Sequence, residues 1–206
     1  MKTTGTAIED DDRVRKIATL CYRDCDEAVA IIEYLEAGNS HDAEAAFLDG
    51  HGHLPLLIRK AMMQRLLMSI MRMYDKRHID RETLPRAFEL LNNPIVYRAV
   101  CAQGIGLRLD AAIARWKVMQ IDPVLTKMRA VRDYELAHTI PSKAGEARPR
   151  TMDFFCIARQ TIALIEELAA GSGVVSVSFE HARGIWAQRA EAYWARLIAA
   201  RVTPTG

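Results

Sequence analysis

Apolar and polar positions follow a helical period along almost the whole chain. From about Ala7 to Ala37, Ile17, Leu20, Val29, Ile32 and Leu35 fall mostly at spacings of three, which predicts one long helix with an apolar strip. Gly38 and Asn39 supply its stop. Ser40 suits the N-cap of a short helix that ends at Gly50. Pro55 suits the first turn of a second long helix, about Leu54 to Asp75, with Leu66, Leu67, Ile70 and Met71 on its core face. Residues 76 to 81 read as a polar, basic connection. Helical segments follow over about Arg81 to Leu91 and Pro94 to Ala102, and Gly104 and Gly106 then break the chain. The next helix covers about Leu109 to Gln120. Asp122 and Pro123 are an N-cap and a first helical residue for one that runs to about His138. Pro141, Gly145 and Pro149 mark residues 139 to 150 as a loop. Thr151 opens a helix whose stripe is Phe154, Ile157, Thr161, Leu164 and Leu168, with Gly171 and Gly173 at its end. Val174 to Ser178 alternates, as one β-strand or an extended link would. The last helix spans about Phe179 to Arg201, with Trp186, Ala190, Tyr193 and Leu197 on one face.

There is no βαβ alternation and no internal repeat. The pattern predicts an all-α fold: a helical bundle of four to five long helices with short connecting helices. Residues 1–206 form one domain on this reading, with 1–6 and 202–206 as flexible termini. A chain of 206 residues that is 50% hydrophobic and 26% charged has enough apolar residues for a proper core, which excludes a disordered chain. No apolar run reaches the roughly 18 residues of a membrane helix. Met1 to Asp12 lacks an apolar segment and carries acids from Glu9 to Asp12, so the expectation is no signal peptide, no membrane partner and a cytoplasmic location. Cys21, Cys25, Cys101 and Cys156 form no C-x-x-C pair and are expected as small buried thiols.

Charge changes the picture because it is segregated. Residues 1 to 50 hold five Lys/Arg against twelve Asp/Glu, whereas residues 51 to 150 hold eighteen against nine. Arg outnumbers Lys by 21 to 7. A basic face of arginines favours oxyanions such as nucleotide or RNA phosphates. The alternative is helix faces that pair with one another across the bundle.

The helix that starts at Pro123 carries the unusual residues. With Met128 at zero, Val124, Leu125 and Val131 lie within about 60 degrees and define its apolar face. Arg132 lies near +40, Glu135 near −20 and His138 near −80 degrees, so ionisable side chains replace the stripe. Lys127, Arg129, Asp133 and Tyr134 lie roughly 100 to 140 degrees away, where solvent is the default. Two readings fit. One is a satisfied cluster, with Arg132 and Glu135 paired and His138 capping the last carbonyls. The other is a chemical site.

The segment Arg132-Asp133-Tyr134-Glu135-Leu136-Ala137-His138 resembles the signature of the HEPN superfamily. That signature is an Arg, a polar residue directly after it, and a His a few residues on, near a helix end. Val124 to Leu168 is similar to the abortive-infection branch of that superfamily, and Leu67 to Asp75 resembles the branch's earlier helix. The resemblance covers about two thirds of the chain. The His-x-Tyr extension of HEPN toxins paired with nucleotidyltransferase antitoxins is absent, since Thr139 and Ile140 follow His138.

The resemblance implies a homodimeric, HEPN-like bundle and a metal-independent endoribonuclease of phage-defence or toxin type. Arg132 and His138 would be catalytic at the dimer interface, and Asp133 would orient the Arg or the partner chain. RNA as substrate and an antitoxin as protein partner follow from the same likeness. The alternative within the family is an inert dimer that binds nucleotide, RNA or a protein. Lys143, Arg148 and Arg150, in the loop after the motif, are candidate RNA-backbone contacts. No cofactor is expected and no metal. Glu135-x-x-His138 has the spacing of a di-iron ligand pair, and Asp75-x-x-His78 is a second such pair. Asp49, His51 and His53 are compact enough for a metal, though a loop lining explains the histidines more simply.

Overall fold

The first apolar strip becomes the axis of the structure. A computed structural model describes residues 7–39, 54–75, 82–133, 149–174 and 178–199. All regular structure among them is helical, with no strand. The expected short helix after Ser40, the connection at 76–81, most of the loop at 139–150, the stretch 175–177 and the termini 1–6 and 202–206 lie outside the described residues. In chain order the helices are α1 (Ala7–Ala37), α2 (Leu54–Met73), α3 (Leu84–Leu91), α4 (Pro94–Cys101), α5 (Gly106–Met119), α6 (Pro123–Val131), α7 (Thr151–Gly171) and α8 (Phe179–Ala199).

Helix α1 packs against α2, α3, α4, α7 and α8, while α5 lies along α7, and α6 touches α7 and α2. Being flanked on several sides, α1 buries Val14, Ile17, Cys21, Cys25, Ala28, Val29, Ile32 and Leu35. Leu20, expected on the strip, is 38% exposed. It sits about 120 degrees from the centre of the arc set by Val14 and Ile32. The core faces of α2 and α7 are as the sequence predicts, with all nine named positions buried.

The face of α8 is rotated from its expectation. Ala190 and Trp194 are buried and Trp186 is half-buried, whereas Tyr193 is 44% exposed. The larger indole wins the interior because its polar atom is satisfied there. Trp194 Nε1 donates to the Tyr34 carbonyl at 3.0 Å. Its ring lies against Gly38, where a Cβ would come within 2.8 Å.

Charge segregation resolves into pairing between helices. Glu27 on α1 takes two hydrogen bonds of 2.8 Å from Arg65 on α2, and Asp24 pairs with Arg72 one helical stretch further on. Glu33 accepts from Arg183 of α8 at 2.9 Å, and Glu36 pairs with Arg159 of α7. The Arg65 guanidinium holds the Glu27 carboxyl below its usual range.

Helices α5 and α7 meet through glycines. A Cβ on Gly104 would come within 2.1 Å of the Gly171 carbonyl oxygen, and one on Gly171 within 2.5 Å of the Leu109 nitrogen. Gly173 has φ 71°, a left-handed conformation that ends α7. This close approach lets Ile105 N donate to the Ala170 carbonyl at 3.2 Å, which docks the α4–α5 turn on the end of α7.

Two predictions follow from packing. Gly171→Ala should cost about 1–3 kcal/mol, because backbone has to move to admit the methyl. Gly184→Ala, where a Cβ meets nothing within 4 Å, should instead stabilise by about 0.4–1 kcal/mol. Urea unfolding of the two variants checks the opposite signs. The second concerns thiols. Cys156 is exposed, against the expectation of a buried thiol, while Cys21 and Cys25 are buried. In native protein a thiol reagent should modify Cys156 first and reach Cys21 and Cys25 only on unfolding. Burial pushes Cys21 up to about 12 and Cys25 well above its usual value. The unfolded thiols lose protons first, so stability should be full below about pH 9 and fall as pH rises above it.

Candidate functional site

Helix α6 begins on a cap that its sequence specifies. The Asp122 carboxylate accepts from Val124 N at 2.7 Å, and Pro123 fills the first position. Leu125 and Met128 are buried, and Val124 and Val131 are half-buried. Arg132 continues this face inward and is only 8% exposed, as its angle on the helix predicts. At Arg132 and Asp133 the backbone widens into a π-type turn, which re-aims the two side chains.

The guanidinium is closely held. Arg132 Nε donates to Asp133 Oδ1 at 2.8 Å, and Nη2 lies 2.7 Å from the same oxygen. Nη1 donates to the Met71 carbonyl at 3.3 Å and stands 3.9 Å from Asp75 Oδ2. Met71 is in the last turn of α2, where unsatisfied carbonyls carry partial negative charge that a cation offsets. Three of the five N–H donors of an arginine therefore face protein groups.

The same turn of α2 is tied to α7 by its neighbour. Thr161 Oγ1 donates its single proton to the Ile157 carbonyl at 2.8 Å, so the Tyr74 hydroxyl is the donor in its 2.9 Å bond to Thr161. Burial pushes the Tyr74 phenol well above its usual pKa, which keeps it a neutral donor. Residues Met71 to Asp75 are thus clamped from α6 by Arg132 and from α7 by Thr161.

The structure brings Arg132 and Asp133 together. Asp133 was expected in solvent; its side chain is instead 19% exposed, because the guanidinium draws it in. Arg150 stands at the N-cap of α7, where the sequence placed Thr151. It bonds Asp153 through Nε at 3.1 Å and Nη2 at 3.0 Å, and its guanidinium holds that carboxyl below the usual range. It remains 84% exposed, so it stands at the surface while paired. His138, Lys143, Arg148, Glu135, Asp49, His51, His53 and His78 lie outside the described residues. Among the described residues no group of three or more His, Cys, Asp or Glu is placed to hold a metal. No helix among them is long and apolar enough to cross a membrane. Sequence reasoning missed the Met71 carbonyl and weighed Asp75 only as a metal ligand. The available signal was that a buried Arg requires partners, and Asp75 ends the neighbouring helix.

Comparison with known proteins finds no family model, no curated protein and no solved structure that matches the chain.

Arg132→Met should lower stability by about 3 kcal/mol, since it leaves Asp133 and Asp75 facing each other without their cation. In a double-mutant cycle with Asp133→Asn, the two losses should be clearly less than additive. Additive losses would show that the pair is not coupled.

Proposed function

We propose that the chain is a HEPN-like endoribonuclease of phage-defence or toxin type, acting without metal as a homodimer. The observation that supports this reading is the buried Arg132 guanidinium, fixed by Asp133, at the described end of the helix that carries the Arg-Asp-x-x-x-x-His motif. Cleavage of RNA through its own 2′-hydroxyl requires a proton acceptor, a proton donor and a cation for the phosphorane charge. His138 is the proton-transfer group on this proposal, and Arg132 is the cation. On a regular helix the two would be about 9 Å apart along the axis and about 120 degrees apart around it. One copy is then a loose pair. A second copy across a two-fold axis would bring four groups into one cleft, which is the physical reason to propose the dimer. Asp133 is the positioning residue. Lys143, Arg148 and Arg150 would follow the backbone of the RNA, and an antitoxin protein would restrain the enzyme in a cytoplasmic setting.

A second reading is favoured by one observation. Arg132 spends N–H donors on Asp133 and the Met71 carbonyl, which suits an inert HEPN-like dimer that binds nucleotide, RNA or a protein partner without cutting. The test uses labelled single-stranded RNA with wild-type and His138→Ala protein prepared identically. His138→Ala is preferred to Arg132 variants because it does not remove a measured anchor of α2. Wild type should cut in the presence of chelator and spare DNA, which lacks the nucleophile. The log rate should bend between about pH 6 and 7, where an imidazole titrates, and His138→Ala should be at least about a hundredfold slower. Equal cleavage by both proteins would end the nuclease reading. Retained RNA binding with no cleavage by wild type would establish the second.

A further inference from the structure

A cavity of about 300 Å³ lies between α3 and α5, apart from the Arg132 cluster. Its apolar lining includes Phe88, Ile113 and Trp116. The Phe88 and Trp116 rings stack nearly parallel, 4.8 Å apart with 7° between their planes. Tyr74 extends the stack from Trp116 at 5.8 Å and 16°. The polar lining is of a different kind: Lys117, Asn92 and Gln120. All three are exposed, and none makes a side-chain hydrogen bond or ion pair among the described residues. Each amide offers two N–H donors, and the ammonium offers three. The one carboxylate of the lining, Glu89, accepts from Arg86 at 2.9 Å, so its charge is already answered. With Arg86 counted, the lining carries one net positive charge, that of Lys117.

We infer that this cavity is a binding site for a small aromatic carboxylate of one or two rings. The stacked walls favour a flat apolar body, and Lys117 with the two amides supplies donors for a single anionic group. The size is at the lower end for small-molecule sites, which excludes large ligands. Neither half of the lining selects the ligand alone. A bare ring leaves the Lys117 charge unanswered, and a bare anion leaves the aromatic wall wet. The site is independent of the nuclease proposal, since it uses neither Arg132 nor the motif.

The probes are indole-3-acetate, indole and acetate, titrated calorimetrically into the full chain. Indole-3-acetate should saturate with a dissociation constant of about 1 mM or below, and indole and acetate should each bind at least about tenfold more weakly. Lys117→Met changes an exposed residue and should weaken indole-3-acetate about tenfold while leaving indole unchanged. Ile113→Trp fills the cavity and should abolish binding of both. If that variant melts early, Lys117→Met carries the test alone. No saturable binding to wild type, equal affinity for indole and indole-3-acetate, or no effect of Lys117→Met would each overturn the assignment.

Discussion

Helix α1 is the element on which the described packing depends. It has 31 residues, so it is about 46 Å long, and five other helices lie against it. A helix this long has little tertiary stability unless it is buried, and here the burial covers a wide arc rather than a narrow stripe. Each fully buried Leu or Ile contributes about 1.5–3 kcal/mol, whereas an exposed ion pair contributes about 0–1 kcal/mol. Val14, Ile17, Ile32 and their neighbours therefore supply the adhesion. The carboxylates of α1 supply the arrangement: Asp24 and Glu27 face α2, and Glu33 and Glu36 face α7 and α8. Glu33 matters more than the rest, since its side chain is only 10% exposed and losing Arg183 would leave it short of its nearest cation.

This arrangement changes the meaning of the charge pattern. An acidic first third and a basic middle suggest a face for phosphates when read as composition. In the fold, Arg65, Arg72, Arg159 and Arg183 answer acids of α1. The positive charge left for ligands is local. Lys117 on α5 is one example, and its value lies in the aromatic wall beside it rather than in net charge.

Sequence periodicity was informative where one helix face meets one neighbour. The stripe of α7 and the core face of α2 are buried as their spacing requires, and the inward angle of Arg132 is observed. It was misleading where tertiary contacts choose between adjacent residues. Trp194 displaces Tyr193 because Gly38 leaves room for an indole and the Tyr34 carbonyl accepts its N–H, neither of which spacing encodes. Asp133 leaves solvent because its neighbour is a buried cation. Glycines 104, 171 and 173 read correctly as breaks, yet their closer function is contact between α5 and α7, which depends on two distant segments. The α3–α5 cavity was invisible for the same reason: Phe88 and Trp116 are far apart in sequence and each reads as ordinary core.

Position 132 is the place where stability and chemistry diverge. The side chain faces the interior, beside Met71 and the turn that Tyr74 anchors. Burying a guanidinium there carries a desolvation cost of several kcal/mol, which Asp133, Asp75 and a carbonyl offset only in part. A leucine or methionine would fill such a site without that cost, provided the two acids were also apolar. Replacing a buried ionic cluster wholesale by apolar residues of similar volume is often neutral or stabilising. Fold stability thus accounts for why Arg132 has partners, given that it is an arginine. It does not account for an arginine at that position. An inward cation that the core does not require, one residue before its own carboxylate and six before a histidine, is the physical ground for seeking chemistry at this helix end.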